Sequence, residues 1–129
     1  MLKPEDRDQM YITQDGFLRE HGEVDMVYWN DGKGHFTLLS WTDGRFMDER
    51  GRPLAGPPRD WGFSVMLRDI DGDGVPDIYV CNDFWSPDRI WLNDGKGKFR
   101  ALARTALPDT SSFSMGVDFA DINRDGFDD

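Results

Sequence analysis

A single cysteine, Cys81, in 129 residues excludes an internal disulfide and cannot by itself build a zinc site. Basic residues are also scarce: 15 Lys and Arg stand against 25 Asp and Glu, a formal charge of −10. A chain this acidic, with no basic stripe, is poorly suited to holding phosphate backbones, so nucleic acid is not an expected partner. No apolar run approaches the roughly 18 residues of a membrane span, and the opening Met1 to Met10 has neither an apolar h-region nor a cleavage site. No membrane span or signal peptide is therefore expected in this stretch. Nucleophile elbow, HExxH pair and phosphate-cradling glycine loop are all missing, which argues against an enzyme. Long 3.6-residue periodicity is missing too, so helices are not expected. What the chain does have is nine Phe, five Trp and three Tyr. That is enough large apolar surface for a packed core in one domain's length, despite a mean hydropathy of −0.65.

The sequence repeats itself. Asn30-Asp-Gly-Lys-Gly-His-Phe36 returns as Asn93-Asp-Gly-Lys-Gly-Lys-Phe99, and Asp69-Ile-Asp-Gly-Asp-Gly-Val-Pro-Asp77 returns as Asp121-Ile-Asn-Arg-Asp-Gly-Phe-Asp-Asp129. The offsets, 63 and 52, differ by an insertion placed in Asp48 to Pro58, where Gly and Pro crowd into what reads as a long surface loop. A degenerate echo, Gln9 to Phe17, reads as strand, turn and returning strand. Phe63–Leu67, Ile78–Cys81, Arg89–Leu92 and Gly116–Phe119 are short, β-branched or aromatic, and bounded by turn signals, so they are predicted strands. The Asp-Gly of each NDGKG segment supplies the positive φ of a tight hairpin. About four strands in a period of 50 to 60 residues is the sequence look of a propeller blade. The expected fold is all-β: about two four-stranded antiparallel blades of a truncated β-propeller. Residues 1–60 read as a degenerate first blade portion with the Gly/Pro-rich insertion, 61–112 as a blade, and 113–129 as the start of a truncated next blade. The chain is thus expected to be a piece of a longer protein, and the apolar residues Ile78, Val80, Ile90, Leu92, Phe99, Val117 and Phe119 to line strand faces that seek a partner blade.

The second repeat is also a chemical pattern. Carboxylates at positions 1, 3, 5 and 9 around a Gly at position 6 suit a hard cation that takes six to eight oxygens, because a tight loop turns alternate side chains inward and Gly permits the reversal. The predicted calcium ligands are Asp69, Asp71, Asp73, the Val75 carbonyl and Asp77, then Asp121, Asn123, Asp125, the Phe127 carbonyl and Asp129. Asn123 keeps an acceptor oxygen but drops a charge, so the second loop should bind more weakly. An EF-hand is excluded, since position 12 is Val80 rather than Glu and the flank reads as strand.

These segments resemble the FG-GAP or VCBS repeats of integrin-α-like β-propellers over residues 61 to 99 and from 113 to the end. Val80-Cys-Asn-Asp-Phe84, Asp88-Arg-Ile-Trp-Leu-Asn-Asp-Gly and Ser114-Met-Gly-Val-Asp118 look closer still to secreted bacterial propellers associated with ASPIC/UnbV domains, related to cartilage acidic protein. The resemblance implies calcium in the same loops and a cell-adhesion or other binding scaffold. The expected function is a calcium-stabilised extracellular scaffold for protein or carbohydrate, secreted, periplasmic or at the cell surface. The alternative is the non-catalytic part of a secreted carbohydrate-active or phospholipase-like enzyme. Cys81 reads as a small buried hydrophobe, His21 and His35 as ordinary polar-turn residues, and Phe84 and Trp85 as packing rather than sugar-stacking rings.

Overall fold

The computed structural model describes residues 9–107, 110, 111 and 113–128. Two short hairpins come first. β1 (Met10–Ile12) pairs antiparallel with β2 (Leu18–Glu20), and β3 (Tyr28–Asn30) with β4 (Phe36–Leu38). A five-stranded sheet follows, built from β5 (Phe46–Met47), β6 (Gly62–Arg68), β7 (Asp77–Asn82), β8 (Arg89–Asn93) and β9 (Phe99–Ala101) in the order β5-β9-β8-β7-β6. β6 to β9 form the antiparallel meander that the alternating apolar residues call for, with Val65 opposite Val80 and Ile78 opposite Trp91. No helix among the described residues is long and apolar enough to cross a membrane.

The turns explain how such short strands hold their register. Thr13–Phe17, Asp31–His35, Asp48–Arg52 and Asp94–Lys98 share one five-residue design. In each, the first residue's N–H donates to the fifth residue's carbonyl at 2.7 to 3.1 Å. The first residue's side-chain oxygen in turn accepts from the fifth residue's N–H, at 2.9 to 3.2 Å. The fourth residue is a Gly with φ between 76° and 87°, a conformation that costs other residues about 1–2 kcal/mol. The His35 ring and then backbone N–H groups hold the Asp31 carboxyl below the usual carboxylate range, and at Asp48 and Asp94 the fifth residue's backbone N–H leads in doing so.

Three differences from the sequence reading follow. The Asp48 to Pro58 segment is not simply a long loop: it opens with one of these capped turns, Met47 then bridges Pro53, and the Leu54 N–H bonds the Phe46 carbonyl at 3.0 Å. Residues 46 and 47, placed by sequence in the first portion, lie instead on the edge of the 61–112 sheet, where Phe46 runs parallel to β9 opposite Phe99. Gly116–Phe119 is not a strand, because no described neighbour offers its backbone a ladder.

Aromatic packing makes the second correction intelligible. Phe46 is fully buried, its ring 4.1 Å from Trp41, 5.2 Å from Phe99 and 5.4 Å from Trp91 between centroids. Leu39, Trp41 and Phe46 therefore build the core jointly with Trp91, Phe99 and Ala101. Each fully buried large side chain contributes about 1.5–3 kcal/mol, which two- and three-residue strands cannot gather alone. Of the residues expected to seek a partner, Ile90 and Phe99 are already buried in the described fold. Open apolar surface remains on β6, where Phe63, Val65 and Leu67 are each about 60% exposed, and on the β3–β4 hairpin at Tyr28, Phe36 and Leu38.

Candidate metal loops

The loop between β6 and β7 is wound by its own carboxylates. Asp69 accepts from the N–H groups of Gly72 and Gly74, both at 2.9 Å, Asp71 from Asp73 at 3.2 Å, and Asp73 from Val75 at 2.8 Å. Gly72 and Gly74 take φ of 80° and 88°, so the backbone reverses where the glycines fall. Asp77 differs from the others in being fully buried. One of its oxygens accepts from Ile70 N–H at 2.9 Å, closing the loop; the other accepts from Asn93 N–H at 2.7 Å, tying the loop to β8. The result gathers one carboxylate oxygen each from Asp69, Asp71 and Asp77 within 4.8 Å of one another. That donor set is all oxygen and anionic, as a hard divalent cation requires, and each carboxylate oxygen keeps a lone pair beyond the N–H it already accepts. Asp73 is the predicted side-chain ligand that the structure does not bring into this group.

The second loop repeats the winding. Asp121 accepts from Asp125 at 3.0 Å and Gly126 at 2.9 Å, Asn123 from Asp125 at 2.9 Å, and Asp125 from Phe127 at 3.0 Å. Gly126 has φ of 93°, matching Gly74. Where the first loop has Gly72, however, this loop has Arg124, at a φ of 65°. Asp129, the predicted ninth-position ligand, lies outside the described residues. The two loops meet across a cleft of about 710 Å³ lined by Leu67, Pro76, Phe119 and Phe127 among others. Arg68 spans it, forking onto the Asp128 carboxylate through Nε and, at 2.7 Å, Nη2.

Other polar groups have structural work. Asp88 accepts from Tyr79 Oη at 2.8 Å, Ser114 Oγ at 2.9 Å and Asn82 N–H at 2.9 Å, so one carboxylate joins β7 to the segment after β9. Burial, and then that bond, push the Tyr79 hydroxyl far above its ordinary pKa. Cys81 is buried with its thiol raised by burial, which fits a packing role. Arg89 pairs with Asp60 through Nε at 2.7 Å, while burial followed by repulsion from Asp60 raises the nearby Asp25 carboxyl. Phe84 and Trp85 pack together at 5.3 Å, against Trp61 and beneath the Arg19 guanidinium. The Asp88 hub escaped the sequence reading, although Asp88 opens the quoted Asp-Arg-Ile-Trp stretch; its signal would have been a carboxylate beside β7 with Tyr79 two residues inside that strand.

The fold and loops together define a repeat protein of short antiparallel β-meanders joined by acidic, glycine-wound turns. The FG-GAP-like repeat family profile matches residues 10–80 and 69–129, the second match running from the first acidic loop through the second. The chain belongs to the FG-GAP-like repeat family. No curated protein sequence and no solved structure matches it.

Proposed function

We propose that the chain is a calcium-stabilised piece of a β-propeller that serves, without catalysis, as an extracellular scaffold for binding protein or carbohydrate. The observation that carries the calcium reading is the convergence of Asp69, Asp71 and Asp77 within 4.8 Å around a buried anchor, in a winding repeated 52 residues later. Three anions held that close repel one another when no cation is present, and a divalent ion reverses the sign of that term. Loops without a bidentate twelfth ligand sit toward the weak end of calcium affinities, about 10⁻⁴ to 10⁻³ M, and fill where calcium is millimolar. That favours a secreted, periplasmic or cell-surface location. The scaffold reading is supported by family membership and by the resemblance of Val80 to Phe84 and Ser114 to Asp118 to ASPIC/UnbV-associated propellers. Calcium titration by calorimetry, with melting in millimolar calcium against EDTA, tests the metal. No binding heat and equal melting temperatures would end the calcium reading. A glycan array and an extracellular-protein panel test the scaffold, and silence on both would end it.

A further inference from the structure

We infer that the cleft between β6 and the residues leading into β3 receives a lysine side chain from a protein partner, the ammonium on Asp25 and the stem along an apolar wall; this rests on, and deepens, the protein-binding half of the reading above. The cleft, about 260 Å³, is walled by Val27, Trp41, Phe63, Val65, Val80 and Trp91. Drug-sized ligands fill ~300–1,000 Å³, so this space suits a single side chain. Asp25, Asp60 and Arg89 also line it. Asp25 is held there by its backbone, whose carbonyl accepts from Trp41 Nε1 at 2.8 Å. Its half-buried carboxylate lies against the start of β6, where a Cβ added at Gly62 would come to 2.7 Å from Oδ1 and 2.9 Å from Oδ2. Among the described residues, none forms a hydrogen bond or ion pair with that carboxylate. Arg89, the cation of the cleft, is committed to Asp60 through Nε at 2.7 Å and Nη2 at 2.6 Å.

Chemistry narrows the occupant. An anion is repelled by Asp25 and Asp60, and a neutral chain leaves a half-buried carboxylate unpaired. A divalent ion needs six or more oxygens, and the acidic groups that converge among the described residues are Asp69, Asp71 and Asp77 instead. A primary ammonium on an apolar stem suits carboxylate and wall together, because lysine packs its methylenes while its head stays polar. With both Asp25 oxygens against Gly62, a point charge with rotatable donors fits better than the planar fork of arginine. The rim argues for a protein over a free amine. Met26, Phe63 and Val65 are each 60–66% exposed, apolar area that a small amine leaves in water and a protein surface covers. The net charge of −10 favours approach by a basic partner and opposes pairing with a second copy.

The test is a titration of the full chain at fixed calcium, followed by the NMR signals of the Trp41 and Trp91 indoles. Nα-acetyl-lysine methylamide is the first probe. Nα-acetyl-norleucine methylamide, which keeps the stem and lacks the ammonium, should bind at least about tenfold more weakly, as the loss of a charge-assisted hydrogen bond predicts. Asp25→Asn should weaken the lysine probe by a similar factor, leave the norleucine probe within about twofold, and melt no lower than wild type, since the lost charge has no partner in the fold. Gly62→Ala keeps the net charge at −10 and pushes the carboxylate aside, so it should weaken the lysine probe as well. An acetyl-Phe-Lys-Val-amide peptide, which also covers the rim, should bind more tightly than n-butylamine. Equal binding of the two capped residues, loss of both in Asp25→Asn, a lower melting temperature in that variant, or an unaffected Gly62→Ala would overturn the inference. A peptide no tighter than n-butylamine would overturn it too, by assigning the cleft to free amines. The scaffold reading fails separately: a protein found by the extracellular panel whose binding is unchanged by Asp25→Asn would end the lysine inference and leave the scaffold standing.

Discussion

The two acidic loops have the same spacing and nearly the same internal hydrogen bonds among the described residues, yet they differ in one backbone position and in the ion pair that touches one of them. The 69–77 loop ends in a buried carboxylate that accepts from Ile70 and from Asn93 on β8, and its left-handed positions are both glycine. The 121–128 stretch keeps the winding but puts Arg124 at one of those positions, and an exposed ion pair joins its Asp128 to Arg68 of the first repeat. Spacing therefore specifies the shape of a loop, and in the 69–77 loop the last carboxylate also fixes that shape to the sheet. A preorganised site pays its ordering cost during folding, and a loosely tied one pays it when the ion binds.

The sharpest break in that comparison is Asp77→Ala. It leaves the Ile70 and Asn93 N–H groups without their acceptor in a buried setting, so it should cost about 2–4 kcal/mol of stability even in EDTA, where no metal is involved. Urea unfolding in EDTA measures it, and a loss under about 1 kcal/mol would mean that Asp77 is a ligand rather than an anchor. Asp71→Ala should behave in the opposite way. Its carboxylate bonds only Asp73 N–H at 3.2 Å in an exposed turn, so folding in EDTA should hardly change, while calcium affinity should fall by about tenfold or more. Asn123→Ala should lose less, because an uncharged oxygen forfeits coordination but no Coulomb attraction. Equal losses in the two titrations would argue that neither side chain coordinates.

How much of this was legible before the structure follows from range. The β6 to β9 meander and both windings are local: each strand is bounded by turn residues, and each carboxylate bonds an N–H two to seven positions away. Their spacing is written in the chain. The core was not, because Phe46 meets Phe99 across 53 positions and lies in a two-residue strand too short for any periodicity. The Asp48 turn was hidden by composition, since Asp-Glu-Arg-Gly-Arg keeps the capping Asp, the basic third residue and the fourth-position Gly but loses the leading Asn and the Asp-Gly pair that mark NDGKG. Gly116–Phe119 shows the reverse error: strand propensity without a partner makes no strand.

Backbone strain gives a smaller handle on the same comparison. Arg124→Gly relieves a positive φ that costs a non-glycine residue about 1–2 kcal/mol, but gives part of this back as unfolded-chain entropy, so about 0.5 kcal/mol of net stabilisation is expected. Gly72→Ala should do the opposite at the equivalent place, where no neighbouring atom comes within 4 Å of an added methyl group and only φ opposes it. It should destabilise by about 1 kcal/mol. If thermal melts of the two variants moved in the same direction, the loops would not share the backbone geometry described.

The smallest expected effect is acid sensitivity at the Arg68–Asp128 pair. The Arg68 hydrogen bonds lead the causes that lower the Asp128 carboxyl from its ordinary value of 3.8, so the folded state holds this proton less tightly than the unfolded chain does. The fork's contribution to stability is therefore fully present above that ordinary value and is lost as pH falls below it, through the lowered folded value. Arg68→Met removes the cause and should flatten this component. With calcium absent throughout, so that protonation of metal ligands does not intrude, the stability gap between wild type and Arg68→Met should be constant from pH 7 to about 5 and narrow below about 4. Because the pair is exposed, the gap is small and should shrink further in 1 M salt, where screening reaches contact distances. A gap that stayed constant down to pH 2, or grew with added salt, would mean that Arg68 acts through its aliphatic stem on the apolar cleft wall at Phe119 rather than through the Asp128 carboxylate.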